Sequence, residues 1–97
     1  MSLEKQFADL AAKWRKETRF SSKAGRMAEH PAYREIVAMG KSAVALILAD
    51  LEKNGGHWFI ALHQITGANP VPEKSRGKVR EMAAAWLEWG RKQGYRW

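Results

Sequence analysis

The sequence predicts an all-α fold, a compact bundle of about five helices. Apolar residues recur every three or four positions along most of the chain, and glycines or prolines interrupt this pattern several times. No segment alternates with period two over a useful length. The chain has 97 residues, 45% of them hydrophobic, which suits a single helical domain over residues 1–97 with possible flexible ends at 1–2 and 94–97.

The first predicted helix is amphipathic and ends near Thr18. Its apolar residues step by four, three and four positions, which places them on one face: Leu3, Phe7, Leu10 and Trp14. The periodicity breaks over residues 19–28. Two serines, Ser21 and Ser22, together with Gly25, indicate a connector there with room for a short helical turn.

The next helix is predicted to begin at His30-Pro31. Proline fits the first helical position because its missing N–H would have no partner there, and His30 is placed to cap the helix. Gly40 is placed to end the helix in the left-handed conformation. Three residues form the apolar side: Tyr33, Ile36 and Val37.

A pair of helices is predicted between Ser42 and Gly67. The first, AVALILADLEKN, has Ser42 as its N-cap and Gly55-Gly56 as its stop. Its apolar positions recur at helical spacing: Val44, Ile47, Leu48 and Leu51. The second lies in GGHWFIALHQITG, where His57 is the predicted cap. Its apolar stripe falls at i, i+4 and i+7: Trp58, Leu62 and Ile65.

The last predicted helix follows a turn over residues 68–73 that contains two prolines. The helix is expected to run from near Ser75 to about Gln93, with Gly94 as its terminator. Four residues form its predicted core face: Val79, Met82, Ala83 and Trp86.

The segment EIVAMGKSAVALILADLEKNGGHWFIALHQITG, Glu35 to Gly67, resembles one unit of the HEAT-like helical repeats. Met39-Gly40 matches the small-residue and glycine step that precedes helix A. Residues 43–53 match helix A, and residues 57–66 match helix B with its Ala-Leu pair. Such solenoids usually need at least about three units to be stable, so the resemblance implies that the flanking helices cap a single pair.

The whole chain also resembles small, functionally uncharacterised bacterial proteins. The shared patterns are HP-Y-EI, HWF-AL-ITG-PVP and AWLEWG-GY, and this sequence contains each of them. The resemblance implies a type of bacterial protein and no particular activity.

The formal net charge of +7 is concentrated at the two ends of the chain. Residues 1–30 have seven Lys/Arg against four Asp/Glu, residues 31–69 have three against three, and residues 70–97 have seven against three. The pattern predicts a neutral middle with basic outer helices. Such basic ends indicate either a solvated surface or an acidic partner, which would be a protein or a nucleic-acid backbone.

The residue types that could act in catalysis or bind a metal lack the spacing that these functions require. We therefore predict no enzyme activity, no metal site and no cofactor. The absence of cysteine excludes disulfides, thiolate zinc sites and cysteine nucleophiles. His57 and His63 are six residues apart, roughly 240° around a helix, so they cannot share a metal as an i, i+4 pair does. Neither a Gly-x-Ser-x-Gly nor a phosphate-binding glycine loop is present. One enzyme alternative stays open, a histidine–carboxylate pair with one of three acids: Glu29, Glu35 or Asp50.

No apolar run approaches the roughly 18–20 residues that cross a bilayer, and the longest runs from Ala43 to Ala49. The acids near the N-terminus do not fit a signal peptide. We therefore expect a cytoplasmic protein with no membrane partner. The sequence leaves its oligomeric state open.

The aromatic residues favour a protein-binding module with an adaptor, regulatory or, by analogy, antitoxin-like role. Trp14, Trp58 and Trp86 lie on predicted apolar faces and read as core. The C-terminal RKQGYRW segment combines aromatic and arginine side chains, the types that dominate protein interfaces. The predicted partner-binding residues are Arg80, Trp89, Arg91, Lys92, Tyr95, Arg96 and Trp97. The alternative, that Tyr95 and Trp97 fold back onto the last helix, is equally open.

The second functional hypothesis is an accessory protein that binds nucleic-acid phosphates through its basic terminal helices. The residues predicted for those contacts are Lys13, Arg15, Lys16, Arg19, Arg80 and Arg91. The segment HWFIALHQIT is too apolar to act as a DNA recognition helix, so sequence-specific reading by that element is not expected. Whether the two basic ends form one surface is left open by the sequence.

Overall fold

The computed structural model describes residues 2–21 and 23–97. Over these residues the chain forms six α-helices, two 3-10 turns and no strand, so the predicted all-α bundle is confirmed. The α-helices are α1 Leu3–Thr18, α2 Ala24–Met27, α3 Pro31–Ala38, α4 Val44–Asn54, α5 Phe59–Thr66 and α6 Val79–Lys92. The 3-10 turns are Gly40–Ala43 and Glu73–Ser75. Met1 and Ser22 lie outside the described residues.

Helix α1 begins at an N-cap, Ser2, whose Oγ accepts a hydrogen bond from the Lys5 amide at 3.1 Å. Its buried residues are Phe7, Ala11, Trp14 and Thr18, which pack toward α3. Leu3 was expected on this face and is 38% exposed in the first turn. The buried stripe therefore starts one turn later than the sequence predicted.

Four aromatic rings form the centre of the core, and we call them the aromatic core cluster: Phe7, Trp14, Tyr33 and Trp58. The ring centroids of Trp14 and Trp58 are 4.6 Å apart, those of Trp14 and Tyr33 are 5.1 Å apart, and Tyr33 stacks on Trp58 at 5.6 Å. The Trp14 indole N–H donates to the Met27 carbonyl at 2.8 Å. The cluster thus joins α1, α2, α3 and the start of α5.

The hydroxyl of Tyr33 caps helix α5 from another part of the chain. It accepts a hydrogen bond from the Ala61 amide at 2.8 Å and donates to the His57 carbonyl at 3.0 Å. The N-cap position of α5 holds Trp58, which has no side-chain acceptor for the first-turn amides. The predicted cap at His57 is therefore wrong, because that residue contributes its backbone carbonyl while Tyr33 contributes the acceptor.

Burial raises the pKa of the Tyr33 hydroxyl well above its ordinary value, while the hydrogen bond from Ala61 acts in the opposite direction. The hydroxyl is therefore protonated at neutral pH and remains a donor to the His57 carbonyl.

The predicted N-cap of α4 at Ser42 is also wrong. Ser42 lies inside the 3-10 turn, and the N-cap position is taken by Ala43, which already has right-handed helical dihedral angles. A side-chain cap needs an extended residue before the helix, and the continuous turn provides none here. The stop at Gly55 is confirmed, since α4 ends at Asn54 and Gly55 has a φ of 70°.

Helices α4 and α5 occupy the segment that resembles a HEAT-like unit, and they pack against α6 and α3, respectively. The resemblance itself stays a prediction. None of the helices in the described ranges is long and apolar enough to span a membrane.

Helix α6 begins at Val79, four residues later than predicted. Gly77, with a φ of 84°, separates it from the second 3-10 turn. The buried Ser75 donates its hydroxyl to Glu81 Oε1 at 2.9 Å, so it joins that turn to the helix without capping a helix start. Val79 is 44% exposed and does not belong to the core face, whereas the predicted burial of Trp86 is confirmed.

We expect Tyr33→Phe to lower the free energy of unfolding by about 1–3 kcal/mol, because it leaves the buried Ala61 amide and the part-buried His57 carbonyl without their partner. Urea denaturation measures this change. Tyr95→Phe is the matched control and should stay within about 0.5 kcal/mol of the wild-type value. Equal values for the two variants would show that the Tyr33 hydroxyl does not stabilise the fold.

Candidate partner-binding surface

The C-terminal end of α6 is closed by a Schellman motif. The Tyr95 amide donates to the Gly90 carbonyl at 3.0 Å, and the Gly94 amide donates to the Arg91 carbonyl at 3.1 Å. Gly94 has a φ of 90°, a backbone conformation that residues other than glycine rarely adopt. Tyr95 meets Trp89 with ring centroids 5.9 Å apart, which is the apolar contact typical of this motif. The chain after α6 is therefore turned back toward the helix.

Trp97 packs onto the helix at Gly90. A Cβ atom at Gly90 would lie 3.1 Å from the Trp97 ring and 2.6 Å from Leu48 Cδ1, so only glycine allows this close packing without a shift. The Trp97 indole N–H donates to Glu52 Oε1 at 3.1 Å. Of the two arrangements that the sequence left open, the structure has the one in which Tyr95 and Trp97 fold back.

Glu52 on α4 forms hydrogen bonds to both Arg91 and Trp97. Its Oε2 accepts a hydrogen bond from Arg91 Nη2 at 2.6 Å, and the Arg91 guanidinium also lies 5.1 Å from the Trp97 ring centroid. One carboxylate thus fixes an arginine and a tryptophan that are six residues apart in the chain. Sequence reasoning missed Glu52, since nothing in the local pattern of α4 connects it to the C-terminal segment.

Two hollows flank the end of α6. The first, which we call the proline hollow, has a volume of about 210 Å³ and is lined by Pro70, Pro72, Ala85, Glu88, Trp89 and Lys92. The second has a volume of about 350 Å³ and is lined by Glu52, Arg91, Tyr95, Arg96 and Trp97. The prolines were predicted only as a turn, and the structure shows that they form one wall of a hollow.

The structure brings six of the seven predicted partner-binding residues together. We call this group the C-terminal surface: Trp89, Arg91, Lys92, Tyr95, Arg96 and Trp97. Arg80 is separate, because eleven residues of helix place it roughly 16 Å from Arg91 along the axis. Lys92 pairs with Glu88 at 3.3 Å, while Arg96 has no ion-pair partner among the described residues.

The predicted phosphate-binding residues do not form one surface. Arg15 Nη2 donates to both carboxylate oxygens of Asp50, at 3.0 and 2.8 Å, and Arg91 pairs with Glu52. Asp50 and Glu52 are two residues apart on α4, so they point roughly 200° apart around its axis. Arg15 and Arg91 therefore lie on opposite sides of α4, and each already has an acidic partner.

The histidine–carboxylate pair in the structure is His30 with Glu17, and not with any of the three acids proposed from the sequence. The Ala32 amide donates to His30 Nδ1 at 3.0 Å, which confirms the predicted cap of α3. This fixes the proton of the neutral ring on Nε2, which lies 2.7 Å from Glu17 Oε1. The pair joins α1 to α3. No group of three or more His, Asp or Glu residues suited to a metal occurs in the part of the chain that the structure describes.

No family model matches this chain, and neither the curated proteins nor the solved structures contain a match to it. Proposals about its function therefore depend on its own residues and geometry.

We expect Gly90→Ala to destabilise the protein by roughly 1 kcal/mol net. The added methyl group overpacks the contact with Leu48 and Trp97, which costs about 1–3 kcal/mol, while higher helix propensity offsets up to about 1 kcal/mol. Gly25→Ala in α2 is the matched control, since no atom lies within 4 Å of its added Cβ. Thermal denaturation compares the two. A Gly90→Ala protein as stable as the control variant would contradict the packing described for Trp97.

Proposed function

We propose that this chain is a small helical protein-binding module that meets its partner through the C-terminal surface. The observation that supports this is the group of aromatic and arginine side chains held beside two hollows by the Schellman motif and by Glu52. Tryptophan, tyrosine and arginine contribute most of the binding energy in many interfaces. A surface that is already ordered loses less conformational entropy on binding.

The chemistry of the surface favours a partner segment that carries acidic residues around one large apolar side chain. The proline hollow has an apolar lining from Pro70, Pro72, Ala85 and Trp89, with the Glu88–Lys92 ion pair beside it. Arg96 is exposed and can donate hydrogen bonds to a carboxylate. The surrounding residues 70–97 carry a net charge of +4. An acidic peptide would therefore be attracted electrostatically, and its apolar residue would fill the hollow.

The role that we propose is that of an adaptor, regulatory or antitoxin-like component, with binding and no catalysis. Within this proposal the α4–α5 pair is a single HEAT-like unit that serves as scaffold, with α4 placing Glu52 against the C-terminal segment. A chain without cysteine is compatible with a reducing compartment, and we propose the cytoplasm.

A nucleic-acid-binding role that uses both basic ends as one surface is less well supported. Arg15 and Arg91 lie on opposite sides of α4 and are already paired with carboxylates. Three other cations at the end of α1, Lys13, Lys16 and Arg19, have no such carboxylate partner among the described residues.

A displayed peptide library selected against the immobilised protein tests the proposal. We expect the selected peptides to combine Asp or Glu with one aromatic or large aliphatic residue. Ala85→Leu fills the proline hollow and should weaken binding of a selected peptide by roughly tenfold or more, as loss of a hot-spot contact does. Ala84→Leu is the matched control, because Ala84 is exposed on the same helix outside the hollow.

Charge is tested in the same way with Arg96→Glu, which should also weaken binding, against Lys41→Glu on the first 3-10 turn, which should not. Selected peptides without acidic residues, or peptide binding that is equal in Ala85→Leu and Ala84→Leu, would overturn the proposal.

A further inference from the structure

The last two turns of α1 and the turn after them carry a second, separate surface. Three exposed cations follow one another at three-residue spacing: Lys13, Lys16 and Arg19. None of the three has an ion-pair partner among the described residues, which include all the acids of the chain. The adjacent Phe20 is 89% exposed. We call these four residues the α1 surface.

The Phe20 ring is almost entirely exposed, so it contributes little to the core. It is more than twice as exposed as Leu3 or Val79, the two other large hydrophobic residues on the described surface. The Arg19 guanidinium lies 4.7 Å from the centroid of its ring, which is the distance of a cation–π contact. The arginine covers one face of the ring, and the high exposure shows that much of the ring remains accessible to a ligand.

The acids of α1 form no ion pair with these cations, and all of them lie among the described residues. Asp9 pairs with Lys5 at 3.4 Å, and Glu17 is hydrogen-bonded to His30 at 2.7 Å. Arg15, the remaining cation of this region in α1, is bound by Asp50. The positive charge at the end of α1 is therefore not neutralised by neighbouring carboxylates, which is the opposite of the situation at Arg91 and Lys92.

We propose that the α1 surface binds single-stranded nucleic acid, with an unpaired base stacked on Phe20 and phosphates bound by the three cations. Lys13 and Arg19 are roughly 9 Å apart along the helix axis. That span corresponds to two or three nucleotides at about 3.4 Å per stacked nucleotide. An exposed aromatic ring needs an unpaired base to stack on, so single strands are favoured over duplexes.

The α1 surface shares no residue with the C-terminal surface, and nucleic-acid binding there would be a function additional to protein binding. The sequence hypothesis of phosphate binding named the α1 cations but not Phe20, and it combined them with Arg80 and with Arg91, which lies on the side of α4 opposite to Arg15.

Fluorescence anisotropy tests the proposal with a labelled oligothymidylate of about twelve nucleotides, which is several times longer than the two or three nucleotides that the surface spans. Phe20→Ala should weaken binding by roughly 5- to 100-fold, the expected effect of losing one base–aromatic stack. Because Phe20 is almost fully exposed, this variant should fold normally. Leu3→Ala, which truncates an exposed hydrophobic residue at the other end of α1, is the matched control and should bind like the wild type.

The salt dependence gives an independent readout of the cations. With three phosphates bound, the logarithm of the binding constant should fall with the logarithm of salt concentration at a slope near −2, since each phosphate on a single strand contributes about −0.7. The double variant Lys13→Gln, Lys16→Gln should reduce the slope by roughly 1.4. Lys41→Gln should leave it unchanged.

Several results would overturn the proposal. The first is no binding to the oligonucleotide at about 50 mM salt, where phosphate contacts are strong. The second is binding to a duplex that is as tight as binding to the single strand, and the third is an affinity that Phe20→Ala does not change.

Binding to vesicles rich in phosphatidylserine is measured in the same series of experiments. Phe20-dependent binding to the vesicles without binding to the oligonucleotide would assign the surface to a membrane instead. Ala85→Leu should not affect oligonucleotide binding, which separates this proposal from the one for the C-terminal surface.

Discussion

The fold depends on the hydroxyl of Tyr33, which connects α3 to the first turn of α5 inside the core. It satisfies the Ala61 amide and the His57 carbonyl at once, at a helix start where no local side chain provides a cap. The ring of the same residue stacks on Trp58, and Trp14 packs against both. Trp58 Nε1 is buried and has no hydrogen-bond partner among residues 2–21 and 23–97, which costs about 1–3 kcal/mol that the packing of the aromatic core cluster has to offset.

Helix α4 gives the molecule two distinct sides. Asp50 faces Arg15 of α1, and Glu52 faces Arg91 of α6, so the two terminal helices are tied to opposite sides of the same helix. At the C-terminal surface the pairing with Glu52 neutralises an arginine and orders a tryptophan, which suits recognition of a protein segment. At the α1 surface the cations stay unpaired, which suits phosphates. The two proposals therefore differ in whether the exposed cations of the surface have carboxylate partners.

The sequence predicted the helices well but only one of the three N-terminal caps that it named, at His30, for a physical reason. Helical spacing and glycine stops are local, and so the ends at Gly55 and Gly94 were correct. The predicted caps at Ser42 and His57 failed because one lies within a continuous 3-10 turn and the other is replaced by Tyr33, 28 residues from the amide that it caps. The sequence named most of the C-terminal surface from its composition. It gave no signal for Phe20, which lies in a segment without periodicity.

Native-state hydrogen exchange at the Ala61 amide tests the central claim most directly. Amides in the first turn of a helix usually have no intrahelical partner and exchange by local fluctuation. Because Tyr33 binds this amide in the core, Ala61 should exchange only through global unfolding, with the same free energy as the buried amide of Leu51 in α4. Exchange of Ala61 at the rate of an unprotected first-turn amide, while Leu51 stays protected, would contradict the account.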